Sequence, residues 1–151
     1  MNELLAPQIT RGLVQQLEAA MRALPPAMQI DPKSLITRHH FPVPGIYMRE
    51  VHVPAGMTTT GKIHKHECVN FLTKGRRSTL IDGRIVEIKA PHMHISPPGM
   101  KRVTYTHEDS IWITVHNTNL TDIDELEREL VCETEDEYLA FCAGEHLTCL
   151  S

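Results

Sequence analysis

Aromatic residues are scarce in this chain: three phenylalanines, three tyrosines and one tryptophan among 151 residues. That excludes a row of rings on which successive bases of a single strand would stack. An excess of positive charge is missing as well. Fifteen Lys and Arg stand against nineteen Asp and Glu, a formal net charge of -4, so no basic field favours a nucleic-acid polymer. No apolar run approaches the roughly 20 residues of a membrane-spanning helix. Asn2 to Gln16 lacks the basic start and apolar stretch of a secretory signal, and a cytoplasmic location with no membrane partner is the expectation. Cys-X-X-Cys is absent, and three of the four cysteines (Cys132, Cys142, Cys149) fall at irregular spacings near the C-terminus. With Cys68 they are expected as free thiols in a reducing compartment. No Ser-His-Asp order, phosphate-binding glycine loop or Cys/His nucleophile signature occurs.

What is present points to a single β-rich domain. In the first segment, residues 1–45, Leu13, Leu17, Met21 and Leu24 recur at spacings of three and four. They form one apolar stripe on a helix that Pro25-Pro26 ends, and a connecting arm follows. In the second, residues 46–117, the period changes to two. Tyr47 to Val53 alternates and stops at Pro54-Ala55-Gly56, and Ser78–Ile81 and Arg84–Ile88 flank Asp82-Gly83, a two-residue hairpin signal. Arg102–Thr106 and Ile111–His116 read as a further pair, with Ile111, Ile113 and Val115 as core residues and Trp112 half-buried. Met93 and Ile95 read as core-facing, with His92 and His94 on the opposite face. In the third segment, residues 118–151, Thr121 is a plausible N-cap, Ile123, Leu126 and Leu130 share a helix face, and a second helix covers Glu135–Cys142. The fold class is therefore mainly β: one antiparallel barrel or double sheet with an N-terminal helix and one or two C-terminal helices. Sheet edges and the amphipathic helix lead us to expect a homo-oligomer, a dimer or larger.

The stretch Gly61 to Asn70, GKIHKHECVN, carries the chemistry. Gly56, then His64-X-His66, then Gly75 resembles the first motif of the cupins, the RmlC-like jelly rolls. Pro97-Pro98-Gly99, a strand and then Asn117 resembles their second. The layout, with APHMHISPPGMKR, THEDSIWITVH and the acidic tail helix, also resembles small cupin-like proteins of bacteriophages. The resemblance implies a jelly-roll barrel holding its ligand in the mouth, and it implies four metal ligands. Two of those positions keep histidine, His64 and His66. The carboxylate position holds Asn70 or Phe71, and the last histidine position holds Arg102.

Two functions follow from the same residues. An arginine has no lone pair to give a metal and stays protonated, whereas its planar fork suits phosphate and carboxylate oxygens. A pocket of His64, His66, Asn70, Arg102 and Tyr105 is thus expected to bind a small anionic or phosphorylated molecule, such as a sugar phosphate or nucleotide. The alternative is a metal-dependent cupin enzyme, of oxygenase or isomerase type. It would hold one divalent iron, zinc or manganese ion on His64 and His66, with His107, His116, His92 or His94 replacing the lost ligands. Cys68, two residues beyond His66, is conceivable as a thiolate ligand. Lys101, Arg76 and Arg77 are further cations, and Arg76-Arg77 reads as a solvated turn. A third reading is a structural role without ligand.

Overall fold

The computed structural model describes residues 5–24, 34–81 and 83–148. Its strands begin and end where the sequence changes chemistry. After helix α1 (Leu5–Arg22), β1 (Ile36–Val43) and β2 (Ile46–Val53) form a hairpin whose turn ends at Gly45, φ +84°. The arm expected before residue 46 therefore supplies an edge strand. Short β3 (Thr58–Thr60) and β4 (Ile63–His64) follow, then β5 (Cys68–Lys74) and β6 (Arg76–Ile81). Between β5 and β6 lies Gly75, at φ +90°. β6 pairs with β7 (Arg84–Lys89) down to Ile81 opposite Arg84. Gly83, φ +74°, turns that hairpin, while Asp82 lies outside the described residues. β8 (His92–Ser96), β9 (Val103–Thr106) and β10 (Ser110–Asn117) complete the sheets. Helix α2 (Ile123–Leu130), β11 (Val131–Cys132) and helix α3 (Glu135–Thr148) close the described chain.

Two antiparallel sheets face each other, in the order β1-β2-β10-β5-β8 and β3-β9-β6-β7, and β4 pairs with β11 in a small third sheet. The fold is mainly β, with one N-terminal and two C-terminal helices, consistent with a jelly roll. β9 and β10 do not pair with each other as expected. β9 lies between β3 and β6, and β10 between β2 and β5, so the segment between them crosses from one sheet to the other.

The faces of the sheets also correct the expectation. On β10, Ser110, Thr114 and His116 are buried, whereas Ile111, Ile113 and Val115 are only half-buried on the other face. On β8 the inward residues are His92 and His94, and Met93 and Ile95 are each 55% exposed. On β5, β8 and β10 the inner face therefore mixes polar side chains with Leu72 and Trp112, and the outer face is largely apolar. Apolar periodicity gives the strands correctly but picks the wrong side as core.

Helix α1 is present, yet among its described side chains the buried ones are Thr10, Arg11 and Val14, and Leu13 and Leu17 are exposed. Polar anchors explain the rotation. Arg11 forms a bidentate pair with Glu135 of α3 at 2.7 and 2.8 Å and donates to the Gly99 carbonyl at 2.8 Å. Its guanidinium also lies over the Tyr138 ring. Lys101 pairs with Glu18 of α1 at 3.0 Å and so turns away from the barrel. Pro25-Pro26 lies outside the described residues. For α2 the cap is Asp122 rather than Thr121, its side chain accepting from the Glu125 N–H at 3.0 Å. Leu126 and Leu130 pack on Tyr47 and cover one end of the barrel. Cys68, Cys132 and Cys142 are free thiols; Cys149 lies outside the described residues. No helix among the described residues is long and apolar enough to cross a membrane.

Candidate functional site

Between the sheets lies a cavity of about 290 Å³, near the small end for ligand pockets. Each wall residue follows from strand alternation. β2 sends in Arg49 and Val51, β5 Asn70, β10 Trp112, Thr114 and His116, and β6 of the opposite sheet Arg77. His64 enters from the end of β4 and Arg102 from just before β9.

A polar chain runs along one wall. Thr114 Oγ1 donates to Asn70 Oδ1 at 3.0 Å, and Asn70 Nδ2 donates to Ser96 Oγ at 2.7 Å. Arg102 donates to the same Ser96 oxygen at 2.5 Å. Asn70 also directs Nδ2 toward Cys68 Sγ at 3.7 Å, and the sulfur lies 3.6 Å from His64 Nδ1. Burial pushes the Cys68 thiol up, against hydrogen bonds from Asn70 and Ser96 that favour the thiolate.

Electrostatically the cavity wall is cationic. Arg49, Arg77 and Arg102 line it with Lys62, against the single carboxylate of Glu127, and Lys62 is paired with Glu127 at 2.6 Å and with Glu133. Arg77 is the most constrained. It is 5% exposed, its buried Nε has no hydrogen-bond partner, and its guanidinium lies 5.3 Å above the Trp112 ring centre. Desolvation draws its pKa down to about 10, which still leaves it a cation at neutral pH. The histidines respond in the opposite sense. Burial, then the charges of His116, Arg102 and Arg49, lower His64 to about 3, and burial, His66 and Arg49 lower His116 to about 4. Both imidazoles are therefore neutral at pH 7.

The structure brings His64, Asn70 and Arg102 to the cavity wall, but not the other residues expected with them. β4 ends at His64, so the alternation that would carry His66 to the same face stops. The His66 ring instead packs edge-on against Phe141, with Nε2 3.7 Å from Glu129. Tyr105 is 44% exposed and packs edge-on against His107. His107 Nε2 is 2.7 Å from Ser78 Oγ, outside the cavity wall. Sequence reasoning missed Arg49, read Arg77 as part of a solvated turn, and named His116 only among four replacement metal ligands. The signal was the two-residue period itself. Arg77 alternates with Arg76, which pairs outward with Glu87 and Glu108, so Arg76-Arg77 is not one solvated turn. His116 continues the Trp112-Thr114 row.

The metal positions implied by the cupin motif do not fit a metal here. Of the four, His66 is turned away, Arg102 brings a positive charge, and Asn70 spends its amide on Thr114, Ser96 and Cys68. A different set does converge: one ligand atom each from His64, Cys68 and His116, all within 4.8 Å of one another.

No protein-family model matches the sequence, and no curated protein matches it significantly. Solved structures do resemble the fold. KdgF from Halomonas sp. is 14% identical, with a TM-score of 0.51 over 65% of this chain and 89% of that one. An uncharacterized conserved protein with a double-stranded beta-helix domain from Klebsiella pneumoniae is 15% identical, with a TM-score of 0.50 over 62% of this chain and 85% of that one. A cupin superfamily protein from Desulfitobacterium hafniense is 8% identical, with a TM-score of 0.49 over 62% of this chain and 88% of that one. At such identities the likeness speaks for the fold alone, an antiparallel double-sheet jelly roll.

Proposed function

We propose that this protein binds a small anionic molecule, of the sugar phosphate or nucleotide class, inside the barrel. The observation that carries this reading is Arg77, a guanidinium 5% exposed, lacking a partner at Nε and lining the cavity. A cation taken out of water without compensation costs several kcal/mol, and a bound anion supplies the missing charge. Arg102 and Arg49 add two more cations on the same cavity, and Asn70 and Thr114 add neutral groups that would orient a polar ligand. Trp112, already under the Arg77 guanidinium, offers a flat apolar wall beside them.

Thermal-shift measurements with inorganic phosphate, a hexose phosphate and a nucleoside monophosphate, against the neutral sugar and nucleoside, test the reading. The anions stabilise the wild-type protein and the neutral compounds do not. Arg102→Ala removes the shift while circular dichroism stays unchanged, and His64→Ala reduces it less. Equal shifts from neutral and anionic probes would overturn the assignment.

A second reading, a metal-dependent function of the same cavity, is favoured by the convergence of His64, Cys68 and His116. We further propose self-association through the outer face of the five-stranded sheet, where Phe71, Met93 and Ile95 are 37%, 55% and 55% exposed. The layout resembling small bacteriophage cupin-like proteins suits a binding module acting in a host cytoplasm.

A further inference from the structure

At the cavity wall lies a cluster of which the anion-binding reading uses only His64. His64 ends β4, Cys68 opens β5 and His116 lies near the end of β10, so three separate strands deliver one donor each to one point. We propose that His64, Cys68 and His116 form a three-ligand site for a thiophilic divalent cation of the zinc class, its fourth position facing the cavity. This deepens the metal-dependent reading and rests on it. It shares only His64 with the motif positions that fail.

Geometry supports the assignment. With metal–nitrogen and metal–sulfur bonds of about 2.1 and about 2.3 Å at a tetrahedral angle, the nitrogen–sulfur edge is about 3.6 Å. His64 Nδ1 and Cys68 Sγ are 3.6 Å apart. All donor separations lie within 4.8 Å, so the edges to His116 have at most about 1.4 Å to close. His116 is 6% exposed, lines the cavity and has its buried Nδ1 without a hydrogen-bond partner. An imidazole that deep is normally satisfied, and a metal ion here would explain why this one is not.

The surroundings of the sulfur fit as well. Asn70 Nδ2 points at Sγ from 3.7 Å and is itself held by the buried Ser96 Oγ at 2.7 Å. Outer partners of this kind orient a ligating thiolate. One thiolate and two imidazoles select a borderline or soft cation over magnesium, calcium or manganese. Such a cation with one thiolate keeps a net positive charge beside Arg102 and Arg49, so its open position favours an anionic fourth ligand.

Cobalt(II) titrated into the chelator-treated full chain reports the donor set directly. The expected result is a thiolate-to-cobalt charge-transfer band in the near ultraviolet that saturates at one equivalent and is displaced by one equivalent of zinc. Cys68→Ser abolishes the band. His116→Gln weakens cobalt binding by more than the roughly tenfold to hundredfold that an outer-shell partner costs. His66→Gln leaves band and affinity unchanged. A wild-type titration without the band overturns the proposal whatever the variants do, and so does a band that survives Cys68→Ser or is lost in His66→Gln. Arg77→Met separates the two readings of the cavity: it leaves the cobalt band intact while removing the response to phosphate compounds.

Discussion

Arg77 is where burial and charge meet most directly, and its neighbours decide what that means. With a cation 5% exposed, a contact to Thr59 Oγ1 at 3.4 Å and the Trp112 ring beneath it, the ligand-free protein bears a desolvation cost that is only partly offset. Arg77→Met keeps the volume and removes the charge, so it should raise the unfolding free energy of the ligand-free protein by about 1–3 kcal/mol. The same variant should lose the stabilisation by phosphate compounds. A melting temperature below wild type, with the anion response retained, would contradict both halves. His94 gives the pH counterpart. Both its ring nitrogens are buried without partners, its ring centre is 5.2 Å from that of Trp112, and burial followed by Arg102 and His92 lowers its pKa to about 4. The folded state therefore disfavours its protonated form, and the unfolded chain takes up the proton first, near 6.5. Stability of chelator-treated protein should be level above about pH 6.5 and fall as the pH drops from there toward 4. Denaturant unfolding across that window should show a shallower fall in His94→Phe. None of this was legible at the residues themselves. Arg77 beside Arg76 looks like a polar turn until the strand's alternation is known to put one out and one in.

At the scale of elements, the strands and helices were legible because their signals are local. Asp82-Gly83 fixes the β6–β7 hairpin, and Pro54-Ala55-Gly56 stops β2. The faces were not, because apolar alternation assumes an oily interior. Here β5 and β10 turn Asn70, Thr114 and His116 inward and leave Phe71, Ile111 and Ile113 to the outer face. The same assumption misplaced the buried side of α1, which is set by the Arg11–Glu135 pair and the Gly99 carbonyl. Gly99 shows how tight that junction is. It sits at φ +77°, and an added Cβ would lie 2.7 Å from both Arg11 Nη1 and Tyr138 Oη. Gly99→Ala should therefore destabilise by more than about 1 kcal/mol, from backbone strain and from displacing the ends of the Arg11 and Tyr138 side chains. Denaturant melts should also show Arg11→Met weakening the same junction. A Gly99→Ala protein as stable as wild type would mean that the α1–α3 clasp is loose.

For the whole molecule, an apolar patch on one sheet and a cationic cavity wall each ask for a partner. The exposed Phe71, Met93 and Ile95 suit a second copy of the chain. Light scattering should give a mass at least twice 17.1 kDa, and Ile95→Lys combined with Met93→Lys should return it to that value. A wild-type monomer at micromolar concentration would remove the need for that surface. The barrel was readable from its turns and from the cupin-like motifs, whereas the site was readable only in part. His64, Asn70 and Arg102 stand at motif positions, but Arg49 and Arg77 come from strands outside the motifs and His116 holds no ligand position in them. The account turns on whether that cationic interior holds an anion. Isothermal titration of the wild-type protein with a hexose phosphate and a nucleoside monophosphate, at low and high salt, measures this directly. The account predicts saturable one-to-one binding of at least one of them, weaker at high salt and weakened by about tenfold or more in Arg77→Met, a loss of at least about 1.4 kcal/mol. Absence of binding for both, or equal affinity in Arg77→Met, would contradict it.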